Sequence, residues 1–552
     1  MKINNKIIYL LLLLILSNGV RSQNNNLVQE FQSPVSKESL PWTFWYWMYG
    51  AVSKQGITAD LESMKKIGLG GAYLMPIKGP ADNKLFEYSP AYDQLTPEWW
   101  EMVGFSMEES DRLGLKLGMH VCDGFALAGG PWITPETSMQ KVVWADTIVN
   151  GGKNKNLLVP ELENYEGYSK DIALFAVPVS KSYSQDIKIP VVTSNTEDRS
   201  PRFLADPFLD DTFRSNDPCW IQYTYDSPIV CRKITVEPGG NNFQAQRLSV
   251  YTSDDGVDFR LVKQLTPFRQ GWQNTGVGFT FSLPETKSKF FRFYWTPEGT
   301  EPGAEDLDAA KWRPNLKIKS IMLSEDATIE NIEGKNGSMW RVSERMSSDE
   351  LPNENCVSFE NIIRIPISDI KEGRLTTKLP RGKWKLVRVG HTSTGYVNAT
   401  GGGGRGLECD KFTAETVRFQ FDNWLGAAFE KTDPVLARRV LKYMHIESWE
   451  CGSQNWSETF PAEFKKRRGY DLMPYMLVYT GIPIDSVEQT ENILQDIRET
   501  ILELVVDVFY DTLYKFSREY DCEISAENVS PTIRKWIDLW VSFGCRALLM
   551  IR

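Results

Sequence analysis

The chain has 552 residues, 41% hydrophobic, 12% aromatic and 24% charged, which is the composition of packed globular protein and excludes a disordered chain. At roughly 100–200 residues per domain, this length predicts about two to four domains. A formal charge of -10 argues against nucleic acid as a partner, because phosphate binding takes clustered Lys and Arg.

The N-terminus, MKINNKIIYLLLLLILSNGVRSQ, sets Lys2 and Lys6 ahead of an apolar run from Ile7 to Leu16, the pattern of a signal peptide over 1–22. The run is shorter than the roughly 20 residues that cross a bilayer, and no later stretch is long enough either. The expected mature product is therefore secreted or periplasmic, with no membrane span. The eight cysteines are scattered, without a CxxC pair, so a structural zinc site is not expected. Cys219 with Cys231 is the one disulfide pair considered.

Residues 23–144 repeat one phrase of apolar strand, amphipathic helix and strand. TFWYWMY (43–49), GGAYLMPI (70–77) and LKLGMHVCDGF (115–125) read as strands, and GITADLESMKKIG (56–68) and TPEWWEMVGFSMEESDRLG (96–114) as helices, the first starting at Thr58. Such alternation predicts parallel βαβ units in the first part of a (β/α)8 TIM-type barrel, with strands buried on both faces. Over 145–335 the pattern changes to short alternating strands such as WIQYTY, RLSVYTSDDGVDF and KFFRFYW. This stretch reads as an inserted β-sandwich, and its segments resemble galactose-binding-like jelly rolls found as carbohydrate-binding modules. A β-rich connecting segment (336–400) follows, ending in RGKWKLVRVGHTSTG.

The second part of the barrel is expected over 401–532. GGGG at 401–404 lacks the spacing and the GKS or GKT ending of a phosphate-binding loop and reads as a flexible loop. LKYMHIESWE (441–450) is a strand running into its loop. A helix near 459–467 and a long one from Glu491 to Tyr520 follow, the latter with Ile493, Ile497, Ile501, Leu504, Val508 and Phe516 as its core stripe. DCEISAENVSPT is the next strand.

Chemistry concentrates where these strands end, and in α/β barrels that rim collects the catalytic groups. Strand alternation sets His445, Glu447 and Trp449 on one side, with Glu450 turning inward as the loop begins. Glu527, in SAEN, occupies the equivalent place on the following strand. Two carboxylates at one rim can divide acid and base work across a glycosidic bond, and tryptophan rings suit the CH face of a sugar. His120 and Asp123 in HVCDGF form a third polar rim patch, and Asn455 and Trp456 extend the loop after Glu450. These residues are the candidate substrate contacts, with Glu450 and Glu527 the candidate catalytic pair. With three histidines in the chain a His-rich transition-metal site is not expected, whereas hard oxygen ligands suit calcium.

The segments FWYWMYGAVSKQGITADLESMKKIGLGG, AGGPWITPETSMQ, GLECDKF, HIESWECGSQNW with FKKRRGYDLMPY, and SAENVSPT resemble, in this order, glycoside hydrolase family 106, the α-L-rhamnosidase-like proteins. The resemblance implies a (β/α)8 catalytic domain with β-sandwich modules, inversion of the anomeric centre and a calcium ion whose ligands it does not place. It also implies hydrolysis of terminal α-L-rhamnosides in rhamnose-containing polysaccharide or oligosaccharide. Glu450 matches the general acid of the family's SWE motif and Glu527 an acidic position on the next strand; Glu447 stands where the family commonly has Asp. Another barrel exo-glycosidase and a non-catalytic sugar binder are the alternatives.

The tail, 533–552, departs from this pattern. Five barrel strands are legible, near residues 45, 73, 118, 445 and 524, where closure takes about eight. The family's G-E-F-W motif, which holds an essential carboxylate, is absent, and IRKWIDLWVSFGCRALLMIR carries no capping logic. The expectation is a frameshift just after Thr532, so that the natural product is either longer or a degraded fragment lacking the catalytic base, and the chain as written neither closes its barrel nor carries out the reaction.

Overall fold

The computed structural model describes Ser36 and residues 39–526, apart from 85–87, 153–155, 180–182, 184–187, 197–200, 207, 240–246, 269–276, 299–313 and 341–343. The signal segment 1–22, Glu527 and the tail 533–552 lie outside the described residues.

The chain opens with β1 (Trp42–Met48), α1 (Lys54–Lys66), β2 (Gly71–Ile77), α2 (Pro97–Leu113) and β3 (Lys116–His120). The start of α1 is set by Ser53, whose hydroxyl accepts from the Gly56 amide at 3.1 Å, and not by Thr58 as expected. Thr96 caps α2, and Gly114, in the left-handed region at φ 66°, ends it. β2 and β3 bury both faces, as a central parallel strand should. β1 does not: Trp45 and Trp47 point into the core, while Phe44, Tyr46 and Met48 are exposed.

Next come β4 (Gln140–Asn150) and β5 (Lys170–Pro178), then an insert of β6 (Val191–Ser194), β7 (Phe213–Ser215), β8 (Cys219–Pro238), β9 (Ser249–Ser253), β10 (Arg260–Gln264), β11 (Phe279–Trp295) and β12 (Leu316–Ser324). These form one seven-stranded sheet, in the order β10-β9-β11-β8-β12-β7 with β6 against β8, its ladders antiparallel. It encloses a separate core that includes Ile221, Tyr223, Phe281, Phe291, Phe293 and Trp295. The ladder between β8 and β11 slips at Thr224/Ile229 and again at Cys231/Lys233, irregularities that bend a strand. Cys219 and Cys231 are both free thiols.

The chain returns through β13 (Ile363–Ile365) and β14 (Lys383–Ser393). The span expected for the insert, 145–335, takes in β5 and the second half of β4, yet β14 pairs with both strands, in a four-stranded sheet of order β13-β5-β14-β4. Segments flanking the insert thus close on each other.

Helices α3 (Ala414–Phe421) and α4 (Pro434–Val440) lead to β15 (Leu441–Ile446), then α5 (Phe460–Arg468), α6 (Val487–Leu504), α7 (Asp511–Glu519) and β16 (Glu523–Ala526). The long helix expected over 491–520 is thus two, joined by a π-helical turn at Val505–Tyr510. The five strands legible in the sequence make one parallel sheet, β1-β2-β3-β15-β16, and among the described residues β1 and β16 are its outer strands.

A buried ion pair ties the exit of the insert to α6. Lys335 and Glu491 have no exposed side-chain surface; Lys335 Nζ donates to Glu491 Oε1 at 2.5 Å, and the Met346 amide donates to the same oxygen at 2.9 Å. Removing the acid strands a buried ammonium. Glu491→Ala should therefore lower the unfolding free energy by about 3–5 kcal/mol in denaturant titration. A loss below about 1 kcal/mol would mean that water reaches Lys335.

Candidate active site

The C-terminal ends of the parallel strands hold the candidate residues. In the β3–β15 ladder His120 is the register partner of His445, and the two rings lie 6.1 Å apart. The Val121 amide donates to His445 O at 3.0 Å, and the Gly124 amide to Pro76 O at 2.9 Å, so three strand ends are tied together. His120 is fully buried, with Nδ1 2.6 Å from Cys122 O. A carbonyl only accepts, so the proton sits on Nδ1 and Nε2 presents a lone pair. Burial pulls the His120 pKa down to about 3, which keeps the ring neutral. His445 Nδ1 lies 2.9 Å from Ser525 Oγ on β16, and Phe44 and Tyr73 flank its ring at 5.3 and 4.8 Å.

Both Nε2 atoms converge on Glu447, each 3.8 Å from Oε1. The His120 lone pair and a carboxylate oxygen are two acceptors, an arrangement satisfied by a shared donor such as a sugar hydroxyl or by a proton on one of them. Glu447 is 8% exposed, whereas Glu450 is only half-buried and accepts a hydrogen bond from Ser448 Oγ at 3.0 Å. The structure thus brings together His120, His445 and Glu447, with Glu450 beside them in the same loop; Glu527 lies outside the described residues.

Three expected sugar contacts belong to the core instead. Trp449 is 5% exposed, its ring 4.7 Å from that of Trp340 and 5.9 Å from that of Phe509, and its indole N–H donates to Gly452 O. Trp456 is buried against Phe460 and Tyr479. Asn455 is buried too, accepting from the Val142 amide at 2.8 Å and donating to Asn336 O at 3.1 Å. Neither indole leaves a face for a sugar.

What supports the acidic loop went unread in the sequence. Lys411 Nζ, fully buried, lies 5.4 Å from the Trp449 ring centre and pairs with Glu408 at 2.8 Å. Glu408 also accepts from the Leu127 and Ala128 amides at 3.2 and 2.9 Å. GLECDKF was recognisable as a motif, but nothing local shows that its acid and base close on each other under a distant tryptophan.

Asp123 was expected at the rim as a substrate contact; it is fully buried, and its Oδ2 accepts from the Gly402 and Gly404 amides, both at 2.8 Å. The glycine run is accordingly a clamped strap and not a flexible loop. Gln94 takes the Gly403 amide at 2.7 Å, and Asn398 donates to Asp123 O and Gly404 O. A Cβ on Gly402 would fall 2.1 Å from Gln94 Oε1, and one on Gly404 2.9 Å from Asp123 Cβ, so glycine is needed for the close approach.

Among the described residues no group of three or more His, Cys, Asp or Glu is placed to hold a metal ion. The rim set of two imidazoles and Glu447 does not fit calcium, which takes about six to eight oxygens.

The sequence profile of glycoside hydrolase family 106, described as alpha-L-rhamnosidase, matches residues 33–538. The chain belongs to this family. A protein of Formosa agariphila named "Putative beta-glucuronidase" is 26% identical over 498 residues, covering 89% of this chain and 30% of its own length. The rhamnosidase from Novosphingobium sp. PP1Y superposes with a TM-score of 0.71 at 24% identity, over 90% of this chain and 47% of that one, a likeness of fold. The chain therefore spans less than half the length of either relative. No helix among the described residues of this family 106 protein is long and apolar enough to cross a membrane.

Burial raises two carboxyls near the site, Asp123 to about 7 and Asp410 to about 6. A carboxyl raised on folding keeps its proton in the folded chain after the unfolded chain has lost it, so stability falls as pH rises from about 4 to about 7. Asp123→Asn removes one such proton. Its stability should gain on the parent's across that window, by at most about 1.4 kcal/mol per pH unit. Parallel melting curves for the two would show that Asp123 does not titrate there.

Proposed function

We propose that this family 106 chain carries the active site of an inverting glycosidase acting on terminal α-L-rhamnosides of a polysaccharide or oligosaccharide. The observation that carries the reading is the convergence of His120, His445 and Glu447 at the ends of parallel strands, with the half-buried Glu450 in the same loop. In this reading Glu450 protonates the leaving oxygen and a carboxylate across the site, at the roughly 6.5–9.5 Å that inversion requires, activates water, with Glu527 the other candidate catalytic residue. The parallel sheet is read as part of a (β/α)8 barrel whose rim carries the site, with the antiparallel insert as a sandwich module. The leader at 1–22 marks the protein for export.

The name of the Formosa agariphila relative favours a second reading, cleavage of β-glucuronides. A third is sugar binding without turnover. A panel of nitrophenyl glycosides separates them. Release from the α-L-rhamnoside supports the first and release from the β-glucuronide the second. Binding of rhamnose-containing oligosaccharide with no release from any member supports the third.

Where turnover is found, Glu450→Gln should cut kcat on an unactivated rhamnoside by about 100-fold or more, because only proton donation is lost, with binding nearly unchanged. A nitrophenyl leaving group, which needs little protonation, should recover part of that loss. Parental turnover of the unactivated substrate by the Gln variant would remove Glu450 from the acid role.

A further inference from the structure

The insert has an outer face that the reaction does not use. Along β8, β9 and β11 the residues Ile221, Tyr223, Val250, Phe291 and Phe293 point into the insert's core and are fully buried or nearly so. Alternation sets their neighbours on the opposite face, where the register aligns Tyr251, Arg292 and Gln222 in one row and Ser249, Tyr294 and Trp220 in the next.

Arg292 is held rigidly in that face. Its guanidinium carbon lies 4.7 Å from the Trp220 ring centre and 3.7 Å from that of Phe259. Nε and Nη2 both donate to Gln222 Oε1, at 3.1 and 2.7 Å. One edge of the fork is therefore spent, while the end formed by Nη1 and the second Nη2 proton stays available. Among the described residues no carboxylate pairs with it; burial is the one influence on its pKa, and it pulls that value down. A half-buried cation with no carboxylate partner among the described residues can take an anion from outside. The planar fork suits a carboxylate, which it can take in two parallel hydrogen bonds. In the adjoining row Tyr294 is 38% exposed, a flat apolar surface of the kind that takes the CH face of a pyranose.

We propose that this face is a non-catalytic binding site for an acidic polysaccharide, with a uronate carboxylate docked on Arg292 and the adjoining sugar ring on Tyr294. The fixed guanidinium supplies charge and Tyr294 a platform for the ring, so the site distinguishes a uronate from its methyl ester and, through the ring that must stack beside the anion, from a glucan bearing sulfate esters. The repulsion expected between a chain of charge -10 and any polyanion makes retention by one informative.

Affinity electrophoresis of the full chain reads binding without reference to turnover. Gels cast with polygalacturonate should retard it, gels cast with fully methyl-esterified polygalacturonate or with dextran sulfate should not, and about 1 M salt should abolish the retardation. Arg292→Ala should weaken binding at least tenfold. Tyr294→Ala removes an exposed ring and leaves the insert core untouched, and should weaken binding by about threefold or more. Free migration of the parent chain in polygalacturonate overturns the proposal, and so does equal retardation by the ester or by dextran sulfate. Parental affinity in a folded Arg292→Ala chain does the same. Should Arg292→Ala fail to fold, Tyr294→Ala decides, and parental affinity there overturns the site.

Discussion

The hydrogen-bond ladder between β3 and β15 is the constraint on which the candidate site depends. It sets His120 opposite His445, and everything chemical at the rim follows from that register. A slip of β15 by one residue would turn His445 to the other face of the sheet, away from His120. Parallel pairing between segments so distant in sequence carries a loop-closure entropy cost, offset here by strands buried on both faces and by the helices that cover them.

Below that ladder the rim is stiffened by buried charge. The Lys411–Glu408 pair sits under Trp449, and Trp449 stands one residue before Glu450, so the position of the candidate acid is inherited from a core ion pair. Asp123 works similarly from the other side, through two glycine amides. Acids that look like substrate contacts in a sequence can thus act as fasteners. Asp123 is such a case, fully buried, whereas Glu450 keeps some surface.

The insert follows a different logic. Its ladders are antiparallel, its core is its own, and the strands β4, β5 and β14 on either side of it pair with each other. Such an arrangement lets the outer face of the insert change without disturbing the rim. The arginine held there between two aromatic rings has no carboxylate partner among the described residues.

The sequence by itself determined much of this. Apolar runs alternating with amphipathic stretches placed all five parallel strands, because strand and helix differ in hydrophobic period. The motif HIESWE and its family were legible for a related reason: a site needs particular side chains at particular spacings. Tertiary structure alone decided which of those side chains face a ligand. Trp449, Asn455 and Trp456 read as sugar contacts and proved to be core, and the glycine run read as flexible and proved to be strapped down. Their partners, Trp340, Asn336, Tyr479 and Asp123, come from distant segments, and local pattern cannot report a contact made only when the chain folds back on itself.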